Sequence, residues 1–424
     1  MGTESRPVLH DFRTHLPAFR GAHAEVVHWL AAAHARAEQT VQAGLQPSDP
    51  RFDPDFNLDA FRRQMERHLR RFAPSPETVG FRYSDLGEFL DENFSDKDLF
   101  PVDRLPQGAG TAARMDAFAT LAERAVRALY DGTEGPHGTD GTEGTEGTEG
   151  TDDSDAPKDS DAPDELIHVT CTGYAAPSAV QVLVEERGWH ASTGVTHAYH
   201  MGCYAALPAV RIAAGYLASS SKEEARCDIV HTEICSLHLN PSRHDPEQLV
   251  VQSLFADGFI RYSLSNTGAD ADGKPLKGFE VLGFAERIVP DSLVDIGWAP
   301  GDFGMRMSLS RNVPDKIAPH LDDFVTTLAE YCGLSRADLE GARYAVHPGG
   351  PSIVDKVQEW LCLAPAQVTA SREILFERGN MSSATLPHIW ERLLQDDTLK
   401  PDALVVSLAF GPGLTLYGMV MRRN

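Results

Sequence analysis

Three residues of this chain can do covalent chemistry together if the fold brings them to one place. Cys203 stands in "HMGCYAALPAVRIAAGYLAS", at the head of an apolar segment with helical spacing. His347 stands in "YAVHPGGPSIVDKV", at the end of a strand-like run and before a Gly-Gly-Pro turn. Asn380 stands in "FERGNMSSATLPHIW", in a turn before another helix. A thiol at a helix N-terminus feels the positive end of the helix dipole, which favours thiolate. An imidazole can take the thiol proton, and imidazole and amide can both donate to a developing oxyanion, each donor contributing about 3 kcal/mol. Cys, His and Asn therefore suit acyl transfer through a thioester. Singly, each has a plainer reading: a buried cysteine is an inert small hydrophobe, a lone histidine packs in a core, and Asn before a helix is a cap.

The surrounding pattern predicts the elements that must hold them. "AHAEVVHWLAAAHARAEQTV" and "MDAFATLAERAVRALY" carry apolar residues at three-to-four spacing and predict amphipathic helices. Beyond them the pattern alternates. "ELIHVTCTGY" predicts a strand and turn, "AVQVLVEERG" a helix closed by Gly188, "CYAALPAVRIAAGYLAS" a helix, "CDIVHTEICSLHL" a strand, "EQLVVQSLFADG" a helix and "GFIRYSL" a strand. "DKIAPHLDDFVTTLAEYCG", "PSIVDKVQEWLCL" and "TLPHIWERLLQ" predict helices, "ARYAVHPGG" a strand and loop, and "ALVVSLAFGPGLTLYGMVMRR" two strands about a Gly-rich turn. Alternating strands and helices point to α/β layering. The same order of strand, reactive loop and helix in both halves predicts a duplicated unit. Pro208 fits its helix only near the first turn.

Composition narrows the function classes. The chain has 424 residues, 42% of them hydrophobic, which supports a sizeable core. Half of the net charge of −24 lies between Asp131 and Glu165, where thirteen acidic residues accompany one lysine. What remains is mildly acidic, without the basic face expected of a nucleic-acid binder. The 131–165 tract repeats Gly-Thr-Glu with almost nothing apolar to bury, and is expected to be a disordered surface insertion. Six cysteines without CxxC spacing argue against a disulfide framework and against a metal site. No signal-like apolar stretch opens the sequence and no apolar run reaches membrane-spanning length, so the expectation is a soluble cytoplasmic protein.

Together, "GCYAALPAVRIA", "HPGGPSIVD", "GNMSSAT" and "FGPGLT" resemble the four signature segments of the type III polyketide synthases, the chalcone synthase-like branch of the thiolase superfamily. They come in the family's order, with 144 residues from Cys203 to His347 and 33 more to Asn380. The resemblance runs from about Leu166 to the end. It implies a thiolase-like αβαβα fold of two similar halves, 1–275 carrying the cysteine and 276–424 carrying His and Asn, working as a homodimer. It implies that an acyl-CoA starter acylates Cys203. His347 and Asn380 would then bind the malonyl-CoA carbonyl, promote decarboxylation and stabilise the enolate. It implies no cofactor beyond the CoA thioesters themselves.

Further residues follow from the same resemblance. Phe255 matches the first gatekeeping phenylalanine and Met307 the second, where a thioether is more pliable than a ring. Cys235 and His238 fall where plant enzymes often carry Thr, with 233, 235 and 237 on one strand face. Cys171 and Ser382 complete the implied substrate wall, and Arg67, Arg70, Arg71 and Ser352 are implied CoA-binding residues. Packed core explains Phe255, Cys235 and His238 too, as a solvated helix face explains the arginines. Ala176 stands where plant enzymes place a Met that crosses into the partner's cavity. Met307 and Ala176 favour an acyl starter over an aromatic one, and a product such as an alkylpyrone or alkylresorcinol. The alternative is a ketoacyl synthase III-like single condensation, or the joining of two chains brought by an acyl carrier protein. A third reading is a non-catalytic acyl-CoA-binding scaffold.

Overall fold

Most strands of this chain are apolar at odd and even positions alike, and the computed structural model shows why: each face of the sheet feeds a different core. The structure describes residues 6–132, 162–269 and 273–424. In chain order the elements are β1 (Val8–His15), β2 (Phe19–Ala22), α1 (His23–Gly44), α2 (Leu58–Phe72), β3 (Phe81–Ser84), α3 (Thr111–Asp131), β4 (Glu165–Thr170), α4 (Ala179–Glu186) and β5 (Gly194–Tyr199). Then come α5 (Ala206–Ser219), β6 (Arg226–Glu233), α6 (Pro246–Leu254), β7 (Gly258–Ser265), β8 (Gly278–Ile288), β9 (Ile296–Gly301) and β10 (Gly304–Leu309). The rest are α7 (Val313–Tyr331), β11 (Arg343–Val346), α8 (Pro351–Trp360), α9 (Thr369–Arg378), α10 (Thr385–Gln395), β12 (Leu404–Gly411) and β13 (Thr415–Arg423).

Nine strands form one sheet in the order β11-β12-β13-β8-β1-β7-β6-β4-β5. The pairing repeats itself. In the first half β1 lies antiparallel on β7, β7 antiparallel on β6, and β6 parallel to β4. In the second, β8 lies antiparallel on β13, β13 antiparallel on β12, and β12 parallel to β11. The two sets meet at β1 and β8 through three residue pairs, Val8 with Glu280, Leu9 with Phe279 and His10 with Gly278.

Because side chains alternate along a strand, Ile167 and Val169 of β4 face one core while Leu166 faces another. Tyr417, Met419 and Met421 of β13 join the first core, and Leu416 and Val420 a third. The shared central core is filled by α5 and α10, the second by α1, α3 and α4, the third by α7 and α8. The layers therefore run α-β-α-β-α, as the thiolase resemblance implied. α5 is buried on all sides through its first turns, with Ala206, Ala209 and Ala213 letting the sheet come close. Pro208 is its third residue, where the missing N–H leaves no hydrogen bond unmade.

Some expectations need correction. The strand predicted over "CDIVHTEICSLHL" ends at Glu233, and Cys235–His238 form a 3-10 turn. Backbone donors leave the ladder there: Ile234 N–H goes to Thr172 Oγ1 and Ser236 N–H to Asp257. The argument that 233, 235 and 237 share a strand face therefore fails. β8, β9 and β10 were not expected at all. Most of the acidic 131–165 tract lies outside the described residues. Its two ends belong to regular elements, with Asp131 closing α3 and Glu165 opening β4. Among the described residues no helix is long and apolar enough to cross a membrane.

Candidate active site

Cys203 sits in the turn between β5 and α5, three residues ahead of the helix. The turn depends on Gly202, whose φ is +80° and where an added Cβ would lie 2.5 Å from Pro412 Cδ. Both conditions favour glycine. Gly202→Ala is expected to destabilise the fold by about 2 kcal/mol, read as a melting point lowered by several degrees. An unchanged melting point would refute this account of the turn.

Cys203 lines a cavity of about 900 Å³, its open mouth included. Cys171, Cys235 and His238 line it as well, as do Phe255, Met307 and Ser382. His347 follows β11 and is fully buried; its ring stands against the cavity-lining Gly349, where an added Cβ would come within 3.6 Å of it. Asn380 follows Gly379, whose φ is +75°. Its turn is tied to the Phe255 segment by Ala256 N–H to Asn380 O, 2.9 Å, and Asn380 N–H to Leu254 O, 3.1 Å. Asn380 Oδ1 accepts from Ser382 N–H at 2.9 Å and from Thr385 Oγ1 at 3.4 Å.

That leaves polar atoms over. Asn380 Nδ2 and both ring nitrogens of His347 are buried without a hydrogen-bond partner. Leaving such groups unmatched costs about 1–3 kcal/mol each, and a donor that no protein group takes is ready for a ligand oxygen.

The electrostatics depart from the dipole argument. Burial, and next the carboxylate of Glu233, push the Cys203 thiol up to about 12, against the weaker opposing influence of the nearby Ser382 side chain, its own backbone and the Asn380 amide. Cys203 lies short of the helix, and the dipole effect fades within about a turn. Burial alone lowers His347 to about 3. His34, His168 and His388 are likewise fully or almost fully buried and lowered to about 3, first of all by burial.

This sets an acid limit on the fold. The four native rings resist protonation until about pH 3, whereas in the unfolded chain they protonate near 6.5, so stability falls as pH drops below 6.5. Each contributes roughly 1.4 kcal/mol per pH unit. Asp257, pushed up to about 6 chiefly by burial, works the other way over a narrower range. Between pH 7 and pH 5 these four rings and Asp257 together lose roughly 6–8 kcal/mol, comparable to a typical total stability, and His23, His231 and His238, also lowered chiefly by burial, act in the same direction. Urea midpoints at pH 7 and pH 5 should differ sharply; equal midpoints would contradict the neutral burial of these rings.

His238 adds bulk to the cavity but no free polar group. Its Nε2 is 2.8 Å from Thr172 O and its Nδ1 accepts from Met305 N–H at 2.9 Å, with the ring edge-on to Trp298. The four expected CoA-binding residues are not among the cavity's lining. Arg67, Arg70 and Arg71 stand exposed on α2, Arg70 paired with Glu66 at 2.7 Å, and Ser352 is exposed near the start of α8. α2 packs on α6, which contributes Gln248, Val251 and Gln252 to the cavity wall.

Two neighbours of the site went unread in the sequence. Trp298 comes from the β9–β10 hairpin and donates its indole N–H to Cys171 O at 2.6 Å. Glu233 lies buried among Cys171, Thr172 and Ser383. Its one sequence signal is an acidic residue closing an apolar strand.

Comparison with known proteins bears on the family and the fold. Residues 157–266 match the family model described as chalcone and stilbene synthases, N-terminal domain, and residues 280–423 that for the C-terminal domain. Among solved structures, the chain is similar to PKS-I from the brown alga Ectocarpus siliculosus, at 21% identity and TM-score 0.74 over 99% of this chain and 98% of that one. The C-terminal type III polyketide synthase domain of Steely1, a type I/III hybrid from Dictyostelium, matches at 20% identity and TM-score 0.73 over 99% of both chains. The 1,3,6,8-tetrahydroxynaphthalene synthase of Streptomyces coelicolor matches at 20% and 0.71 over 98% of this chain and 99% of that one.

Proposed function

Since the chain belongs to the chalcone and stilbene synthase family, the type III polyketide synthases, we propose that it loads an acyl starter from acyl-CoA onto Cys203. It then extends that starter with malonyl-CoA to a small polyketide such as an alkylpyrone or alkylresorcinol. In the first step Cys203 Sγ attacks the acyl carbonyl and the bond to the CoA sulfur breaks, the thiol proton passing by way of His347 to the departing CoA thiolate. In the second, malonyl-CoA loses CO₂, and the electron pair left behind becomes an enolate whose oxygen takes hydrogen bonds from His347 and Asn380. The enolate carbon attacks the acyl-enzyme, the new carbon–carbon bond forms, and Cys203 leaves.

The observation that carries this reading is the pair of buried side chains, His347 and Asn380, whose nitrogens no other protein group takes, next to the residues Gly349 and Ser382 that line the cavity with Cys203. Donors fixed before the charge appears stabilise it without reorganisation. Met307 among the residues that line the cavity supports an acyl starter, because a thioether adapts to flexible chains. The repeated strand pairing supports a division near residue 275. β5, with a partner on one side only among the described strands, offers an edge for a homodimer.

The test is mass analysis of products from malonyl-CoA and a panel of short, long and aromatic acyl-CoAs, with Cys203→Ala alongside. Pyrones or resorcinols absent from the variant would bear the reading out, their masses giving starter and extension count. Acylation of Cys203 without product would turn attention to carrier-bound substrates. No acylation at all would overturn it.

A further inference from the structure

The two strands of the β9–β10 hairpin pair only with each other among the described strands. Yet Trp298, Met305 and Met307 of that hairpin line the cavity with Cys203, so something other than the main sheet must hold it. The tie comes from the head of α3. That helix starts after Gly110 with no side chain capping it, and the hydroxyl of Thr111, its first residue, serves the hairpin tip rather than its own helix. It donates to Gly301 O and accepts from Gly304 N–H at 2.8 Å, while Thr111 N–H donates to Asp302 O at 2.9 Å. One residue thus meets three polar groups of the tip 301–304, with its single hydroxyl donor and its acceptor both in use.

Arg114, three residues further along α3, is fully buried and gives its hydrogen bonds to backbone carbonyls. Nε donates to Ala109 O at 2.7 Å, Nη2 to Gln107 O at 2.8 Å, and Nη1 to Leu239 O at 2.8 Å and to Leu237 O. The last two carbonyls flank His238, whose ring is held in turn. A backbone N–H can only donate, so His238 Nδ1 accepts from Met305 N–H at 2.9 Å, and the ring proton on Nε2 goes to Thr172 O at 2.8 Å. Hairpin tip, His238 and Arg114 are in direct contact: a Cβ added at Gly304 would lie 2.9 Å from His238 Nδ1 and 3.2 Å from Arg114 Cδ. Trp298 is anchored too, its indole N–H on Cys171 O at 2.6 Å and its carbonyl taking His200 Nε2–H at 2.9 Å. This stretch of cavity wall cannot retreat without breaking bonds made outside the cavity.

We propose that Thr111 and Arg114 are positioning residues for the condensation, fixing the wall of His238, Leu239, Trp298 and Met305 and so the length of chain the cavity admits before release. Neither lines the cavity itself. This rests on the chain extending an acyl group on Cys203 with malonyl units. Each unit lengthens a chain anchored at one end, so growth stops where it meets a wall that does not yield. Packed side chains resist displacement only when their own backing is fixed, and here the backing is the head of α3. The open end of the hairpin is fastened separately, by Gln248 Nε2 on Met307 O at 2.9 Å and by Glu247 with Leu309 N–H. Loosening the tip therefore slackens the wall at His238 and Trp298 while the hairpin stays seated.

Thr111→Val tests this, since it deletes the hydroxyl from both tip bonds but keeps the side-chain shape and the backbone bond to Asp302. Products from malonyl-CoA and the acyl-CoA that the wild type uses best are compared by mass at matched turnover. The share of chains longer by a malonyl unit or more should rise about three- to tenfold, the ratio that the net worth of one or two hydrogen bonds supports. Arg114→Lys, with too few donors for four carbonyls, should shift the share the same way. Thr111→Ser keeps the hydroxyl and should return the wild-type distribution. Lost stability alone would lower all products in proportion and leave their ratio unmoved, and intact-protein mass should show Cys203 acylated as in the wild type. A wild-type distribution from folded Thr111→Val overturns the proposal, and so does a shift confined to shorter chains. If Thr111→Val does not fold, Thr111→Ala is read by the same criteria. A wild type that makes no polyketide at all would instead sink the functional reading, and this proposal with it.

Discussion

Replacing Cys203 by alanine is expected to remove acyl-enzyme formation altogether and to lower product formation by on the order of 10⁴-fold or more, as loss of a covalent nucleophile does elsewhere. No other thiol can take its place. Cys171 shares the cavity, but its sulfur is held between Gly202 N–H and Gly202 O, and burial together with nearby negative charge pushes its thiol well up. Cys235 is raised in the same way. The variant nevertheless keeps His347 and Asn380, so it should still release CO₂ from malonyl-CoA. Intact-protein mass after incubation with acyl-CoA reads the first effect and CO₂ release the second. An acylated variant would show that the nucleophile lies elsewhere.

Asn380→Ala and His347→Ala should have the converse signature. Each removes one donor from the place where the enolate oxygen develops, a loss worth roughly 10²- to 10³-fold in kcat, while Cys203 remains present for acylation. Asn380 also holds its own turn through Oδ1, so alanine is expected to cost about 1 kcal/mol of stability as well. Asn380→Asp separates the two roles. It keeps an oxygen for Ser382 N–H and Thr385 Oγ1 but replaces the donor by a second acceptor, and should decarboxylate no better than the alanine variant. Decarboxylation at wild-type rate in Asn380→Asp would remove Asn380 from the mechanism.

The reactive loops were legible because their chemistry is local. Gly202, Gly349 and Gly379 punctuate apolar segments, and of the residues read beside them Cys203 lines the cavity while His347 and Asn380 lie buried next to the lining residues Gly349 and Ser382. The helix over Thr385–Gln395 matches its predicted segment for the same reason, a clear 3.6-residue pattern begun by a turn. The hairpin from Ile296 to Leu309 was opaque. "IGWAPGDFGMRMSL" reads as loop, since its Gly and Pro hide two short strands that exist by pairing with each other. Glu233 was invisible as a site residue because its meaning lies 150 positions away, at Ser383. The surroundings of the Cys203 thiol escaped the sequence for a related reason: a dipole can be read from a helix start, whereas burial and a carboxylate brought in from another strand cannot.

The seam between the two halves has one more consequence. Three residue pairs join β1 to β8, yet Cys203 comes from one side of that seam and His347 and Asn380 from the other. What spans the divide is an exchange of helices: α5 of the first half rests on β13 of the second, and α10 of the second on β7 of the first. The reach from Cys203 to His347 and Asn380 is therefore governed by the girth of side chains on two crossed struts. Enlarging Ala209 or Ala213 would spread the jaws of the site while leaving every tooth in place. Such remote, chemically mute positions set the spacing of the site without appearing in the cavity wall itself.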